Sequence, residues 1–184
     1  MSYAEHLRGL FPTLELEVAD LFALETVQLA ALPSRAPAAP FAEVLHAHPE
    51  VRTFMEVRHP PIAAYLAQLL AEHEPADTAD LASSEQQLLW EIGDQLVYVT
   101  APEVYDALPL NAWDFEVVAG LVNLEAKVVI DAGAGTGKVA FAAARRSGQV
   151  FAVEPIARLR EFMRAKARAS DLSLIHISEP TRLE

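Results

Sequence analysis

At 184 residues, with 52% apolar side chains and no cysteine, the chain is long enough for one domain or two small ones and offers no disulfide, catalytic thiol or thiolate metal site. No run is long and apolar enough to span a bilayer, and Met1 to His6 lacks the basic and apolar regions of a signal peptide, so a cytoplasmic, membrane-free protein is expected. The net charge of −12 is uneven: 20 acids stand against 4 Lys or Arg up to Ala126, and 6 against 10 from Lys127 onward. The acidic part has no basic surface to track a phosphate backbone, which argues against nucleic acid as substrate or partner and favours a small molecule.

The first part of the chain reads as helical throughout. Thr13 can cap a helix through Leu16, Val18, Leu21, Phe22, Leu24, Val27 and Leu29, and Pro33 to Pro40 then reads as a linker. Helices are predicted from Pro49 to Arg58, with proline in the first turn, and from Pro61 to Glu72, with His59-Pro60-Pro61 as the break between them. Glu74 to Ala82 is polar and acidic, a loop. Ser84 with Gln87 three residues later makes a capping box that opens a helix through Leu88, Leu89, Trp90, Ile92, Leu96 and Val97. Asn111 to Leu121 is a further helix, with Asn111 as its cap, Asp114 in its first turn and Gly120 at its end. Glu43, His46, His48 and Glu50 are metal-ligand types close together, but helical spacing separates His46 from His48 and Pro49 interrupts the segment, so no metal site is expected. No serine or histidine stands in a nucleophile elbow, and no carboxylate pair is set for hydrolysis.

The chain then changes character. Val128-Val129-Ile130 is a short β-branched strand that delivers Asp131 and three alternating glycines, Gly133, Gly135 and Gly137, into a turn. A helix is predicted to start near Gly137, and a second strand, Val150-Phe151-Ala152-Val153, ends on Glu154. Alternating glycines let a ligand approach the backbone where a Cβ would obstruct it, and a helix start aims unpaired N–H groups at the crevice. A carboxylate at the tip of the second strand can accept hydrogen bonds from both hydroxyls of a ribose, and Asp131 is placed to bind a cationic group directly or through water.

Spacing separates the cofactor classes that use such loops. A dinucleotide fingerprint needs glycine at the sixth position from Gly133, where the chain has Lys138. A P-loop would need Gly at 132 and Ser or Thr at 139, where Ala132 and Val139 stand. The remaining pattern, D-x-G-x-G-x-G followed by V-x-x-V-E-P, resembles the class I S-adenosylmethionine-dependent methyltransferases over the stretch from Lys127 to near Ala169. The resemblance implies an α/β fold: a helical N-terminal region, residues 1–122, for cover, substrate or dimerisation, then the first two βα units of a Rossmann-like sheet, residues 123–171. It implies that Asp131, Gly133, Ala134, Gly135, Thr136 and Gly137 hold the methionine end of S-adenosylmethionine and that Glu154 holds its ribose. It also makes Tyr98, Tyr105 and Trp113 candidate pocket walls, beside their simpler reading as aromatics anchoring helices on the sheet. No catalytic residue is assigned. Two other classes stay open, an NAD(P)-dependent oxidoreductase and a non-catalytic helical module for docking or homodimerisation.

Residues 172 to 182, Leu-Ser-Leu-Ile-His-Ile-Ser-Glu-Pro-Thr-Arg, resemble the codon-by-codon translation of a transposase sequencing adaptor. Residues 172–184 are therefore expected to be a non-native tail outside the fold, although Leu172, Leu174, Ile175 and Ile177 also have strand character. On that expectation the chain is a truncated, inactive fragment whose two strands leave one sheet edge open. The basic run Arg158, Arg160, Arg164, Lys166 and Arg168 is expected to be the solvated face of the helix after Glu154, with Ile156, Leu159, Phe162 and Met163 turned toward the sheet.

Overall fold

Apolar residues at helical spacing dominate as far as Thr100, and parallel strands alternate with helices beyond it. A computed structural model describes residues 3–75, 80–109, 114–170 and 175–180. The chain divides into two compact units between Thr100 and Ala101, so the helical region expected to run through residue 122 is split between them.

The first unit contains α1 (Tyr3–Leu10), a 3-10 segment (Val18–Ala23), α2 (Thr26–Arg35), α3 (Ala38–Ala47), α4 (Pro49–Arg58), a 3-10 turn (Pro60–Ile62), α5 (Ala63–Glu72), α6 (Leu81–Glu91) and α7 (Gly93–Thr100). α6 packs against α3 and α1, and the shared core includes Leu21, Leu32, Phe41, Leu66, Leu88 and Ile92, all fully buried. α4 has the expected bounds because its signals are local: proline in the first turn, Glu50 beside it, Arg58 in the last turn and His59-Pro60 beyond.

Several sequence expectations are corrected here. The single helix from Thr13 to Leu29 is instead the 3-10 segment followed by α2, each opened by its own capping box, Glu17 with Asp20 and Glu25 with Gln28. Gln28 serves twice: its Oε1 accepts the Glu25 N–H at 3.0 Å, and its Nε2 donates to the Gln95 carbonyl at 2.6 Å inside the core. The expected linker from Pro33 to Pro40 shrinks to Ala36 and Pro37, because Pro33 is carried inside α2 between the buried Leu29 and Leu32 and Arg35. Ser84 does not cap a helix. Asp80 precedes α6, which starts within the expected 74–82 loop, and the buried Ser84 hydroxyl donates to the Glu43 carboxylate of α3. The long helix through Val97 is broken at Ile92 into α6 and α7.

The second unit contains α8 (Pro102–Asp106), α9 (Glu116–Ala119), β1 (Val128–Ala132), α10 (Lys138–Ala144), β2 (Gln149–Val153), α11 (Ala157–Ala169) and β3 (Ile175–Ser178). The predicted helix from Asn111 is only α9 among the described residues, ending as expected at Gly120; Asn111 and Trp113 lie outside them. The strands are parallel in the order β1-β2-β3, with Ile130 opposite Phe151 and Ala152 opposite Ile177. The two-strand expectation is thus corrected to three, and the third strand lies in the segment expected outside the fold. Its physical basis is alternation: Ile175 and Ile177 pack toward the cluster that holds Val150, Ala152, Phe141 and Met163, while His176 and Ser178 face out. α10 and α11 cover that one face of the sheet. On the other, Val128 and Ile130 are 62% and 70% exposed. The second unit is thus α/β, a small parallel sheet with helices on one side. No helix of the described residues is long and apolar enough to cross a membrane.

Candidate cofactor site

The turn after β1 is built by the three glycines. Gly133, Gly135 and Gly137 take φ values of +74°, +55° and +83°, the left-handed region in which a side chain is strained. Their hydrogen bonds fold the turn back on the sheet: Gly133 and Ala134 donate to the Val153 carbonyl at 2.8 and 3.1 Å, and Gly137 donates to the Ala134 carbonyl at 2.8 Å. Gly137 is the residue before α10, and its own carbonyl accepts the Phe141 N–H at 2.8 Å. Among the described residues, a Cβ on Gly133 would meet nothing within 4 Å, and one on Gly135 would meet only the Tyr105 ring, at 3.9 Å. The space in front of these two residues is therefore open to a ligand that approaches the backbone. Gly137 differs, because a Cβ there would lie 2.6 Å from the Phe141 ring.

Glu154 follows β2 and faces this turn. It is 4% exposed; one carboxylate oxygen accepts the Gly135 N–H at 2.8 Å and the other accepts the Ile156 N–H at 2.9 Å. The side chain bridges the glycine loop and the start of α11 and is engaged inward. Sequence placed the carboxylate at the strand tip but not in this bond to the loop.

Asp131 lies on the helix-covered face of β1. Burial pushes its carboxyl above the ordinary value, and the Ala140 N–H in the first turn of α10 partly opposes that shift. Its Oδ2 is buried with no hydrogen-bond partner among the described residues. A buried acceptor left without a partner carries a desolvation cost and is suited to a donor that arrives from outside.

The fourth element of the site was not legible in the sequence. Asp106, at the end of α8, accepts from the Lys166 ammonium of α11 with both carboxylate oxygens, at 2.9 and 3.1 Å, and the same ammonium reaches the Thr136 carbonyl at 3.3 Å. The Thr136 side chain faces the same carboxylate, and Lys138 Nζ lies 3.7 Å from it. These donors outweigh burial and hold the Asp106 carboxyl below its ordinary value. The expectation that the basic face of α11 is wholly solvated is corrected on this account. Arg158, Arg164 and Arg168 are exposed, whereas Lys166 is bound to Asp106 and Arg160 donates to the carbonyls of Glu154 and Pro155 at 2.7 and 2.6 Å.

Of the candidate pocket aromatics, Tyr105 belongs to the second unit beside Gly135, and Tyr98 belongs to α7 of the first. The polar cluster of the first unit is engaged internally. His48 Nε2 lies 2.7 Å from Glu85 Oε1, and His46 Nε2 lies 2.8 Å from the His73 carbonyl. Among the described residues no three His, Asp or Glu side chains gather to hold a metal ion. Compared with protein families, with curated proteins and with solved structures, the chain matches none of them.

Proposed function

We propose that the second unit is the cofactor-binding start of a Rossmann-like domain of the class I S-adenosylmethionine-dependent methyltransferase type, transferring a methyl group to a small-molecule acceptor in the cytoplasm. The observation that carries this reading is the joining of the two sequence motifs in space: the three left-handed glycines after β1 and the acid after β2 meet through the bond from Gly135 to Glu154. The open space before Gly133 and Gly135 fits a cofactor laid on the loop backbone. When bound, S-adenosylmethionine supplies an activated methyl group on a sulfonium. On this reading Gly133 to Gly137 receive the methionine end, the free Oδ2 of Asp131 takes a cationic donor, and Glu154 takes ribose hydroxyls. These residues hold and orient the donor; rate in such a displacement comes mostly from a near-attack geometry. No residue is assigned to deprotonating the acceptor. The first unit, acidic and helical, is the part available for cover or homodimerisation.

Titration calorimetry of the full chain with S-adenosylhomocysteine and, separately, NAD tests the reading. A saturable one-site isotherm with S-adenosylhomocysteine and none with NAD is expected. Binding of NAD alone would move the chain to the nicotinamide class, and binding of neither would remove the cofactor assignment.

A further inference from the structure

Three residues from three elements close a ring around the glycine loop. Lys166 of α11 binds the Asp106 carboxylate and the Thr136 carbonyl with one ammonium, and the Thr136 side chain faces Asp106. Thr136, 3% exposed, is thereby held through its backbone carbonyl. A loop with three glycines in five residues loses much backbone freedom on ordering, so a held residue in its middle bears directly on how often the loop has its ligand-ready form.

The ring is not an ordinary surface ion pair, whose contribution would be small. The Asp106 and Lys166 side chains are 18% and 27% exposed. The Lys166 ammonium lies 5.3 Å from the Phe141 ring centroid and 5.7 Å from that of Phe162, so aromatic faces shield it and add cation–π attraction. Phe141 is also the ring that a Cβ on Gly137 would strike, which puts the ring of side chains and the tightest point of the loop on one aromatic residue. α8 joins in twice, since Tyr105 lies beside Gly135 while Asp106 holds the Lys166 ammonium on the Thr136 carbonyl.

We infer that Asp106 and Lys166 are positioning residues that fix the glycine loop 133–137 through Thr136 and so set its affinity for the adenosine cofactor. The affinity part rests on the cofactor reading above; the ordering of the loop does not.

The test uses the full chain with Asp106→Asn, Lys166→Met and the double variant; methionine keeps an unbranched apolar stem between the two phenyl rings. Two readouts are taken, amide hydrogen exchange across residues 133–137 and calorimetric affinity for S-adenosylhomocysteine. Each single variant should exchange about tenfold faster in the loop and bind about tenfold more weakly, the scale of one lost charge-assisted hydrogen bond. Circular dichroism should be unchanged, and the double variant should be no worse than either single one, because both break the same ring. Unchanged exchange in both single variants overturns the inference, and so does faster exchange with unchanged affinity. Faster exchange in a chain whose wild type binds no adenosine ligand removes the cofactor reading and the affinity part while the ordering role stands. If Asp106→Asn does not fold, Thr136→Val takes its place, with the same outcomes.

Discussion

Gly135 donates its backbone N–H to Glu154 across 2.8 Å, although the two are 19 positions apart in the chain with α10 and β2 between them. The other Glu154 oxygen takes the Ile156 N–H, so a single buried carboxylate satisfies donors from the glycine loop and from the entry to α11. A carboxylate is suited to this because both of its oxygens only accept.

Glu154→Gln should therefore be destabilising even though its shape is conserved. One of the two backbone N–H groups would face an amide NH2, and leaving a buried donor unpaired costs about 1–3 kcal/mol. Urea unfolding of the two proteins measures the difference. A midpoint equal to that of the wild type would mean that the side chain turns outward at no cost and is free for a ligand.

The glycines of the loop should not be equally sensitive. Gly133→Ala meets only the strain of the left-handed conformation, roughly 1–2 kcal/mol, because no atom of the described residues lies within 4 Å of its Cβ position. Gly137→Ala adds contacts of 2.6 and 2.8 Å with Phe141 and 3.0 Å with Met163 Sδ, overpacking that costs about 1–3 kcal/mol more. Denaturant midpoints should fall further for Gly137→Ala. Equal losses would show that Phe141 moves aside without cost.

What the sequence reveals here is what depends on neighbours in the chain. Strand, glycine turn, helix and second strand are written in consecutive residues from Val128 to Val153, and α4 carries its own start and stop at Pro49 and His59. Ser84 is misread for the opposite reason, since its partner is Glu43, 41 residues away on α3, and that tertiary bond outweighs the local capping pattern. Pro33 is likewise kept inside α2, whose neighbouring Leu29 and Leu32 are fully buried, despite the N–H it lacks. Asp106 and Lys166 lie 60 residues apart with no motif around either, so no local signal joins them.

Asp131 should trade stability for binding. Its carboxyl is raised from the ordinary value of 3.8, so the folded state binds protons more tightly there than the unfolded state does. Stability from this group is therefore greatest at low pH and declines as pH climbs from that ordinary value through the raised one. Asp131→Asn keeps an acceptor for Ala140 and removes the cost of a buried charge. The variant should melt higher than the wild type at neutral pH, by about 2–4 °C for each kcal/mol gained, and the gap should close on acidification. Its affinity for a cationic ligand group should fall. A gap that does not change with pH would show that the carboxyl is not the source of the difference.

The third strand is held by backbone and by two side chains. Without β3, the outer edge of β2 would present a row of free N–H and C=O groups, and any segment with alternating apolar residues can satisfy such an edge, whatever its origin. Glu154 donates its N–H to the Ser178 carbonyl at 3.0 Å, which makes that amide a reporter of the pairing. The double substitution Ile175→Ser with Ile177→Ser removes the half-buried face that seats β3 on α11 and should cost about 2 kcal/mol. Hydrogen exchange at Glu154 should accelerate, and sedimentation should show self-association as the bared edge of β2 meets another copy. A protected Glu154 amide in a monodisperse double variant would mean that strand pairing alone holds β3, with the isoleucines contributing little.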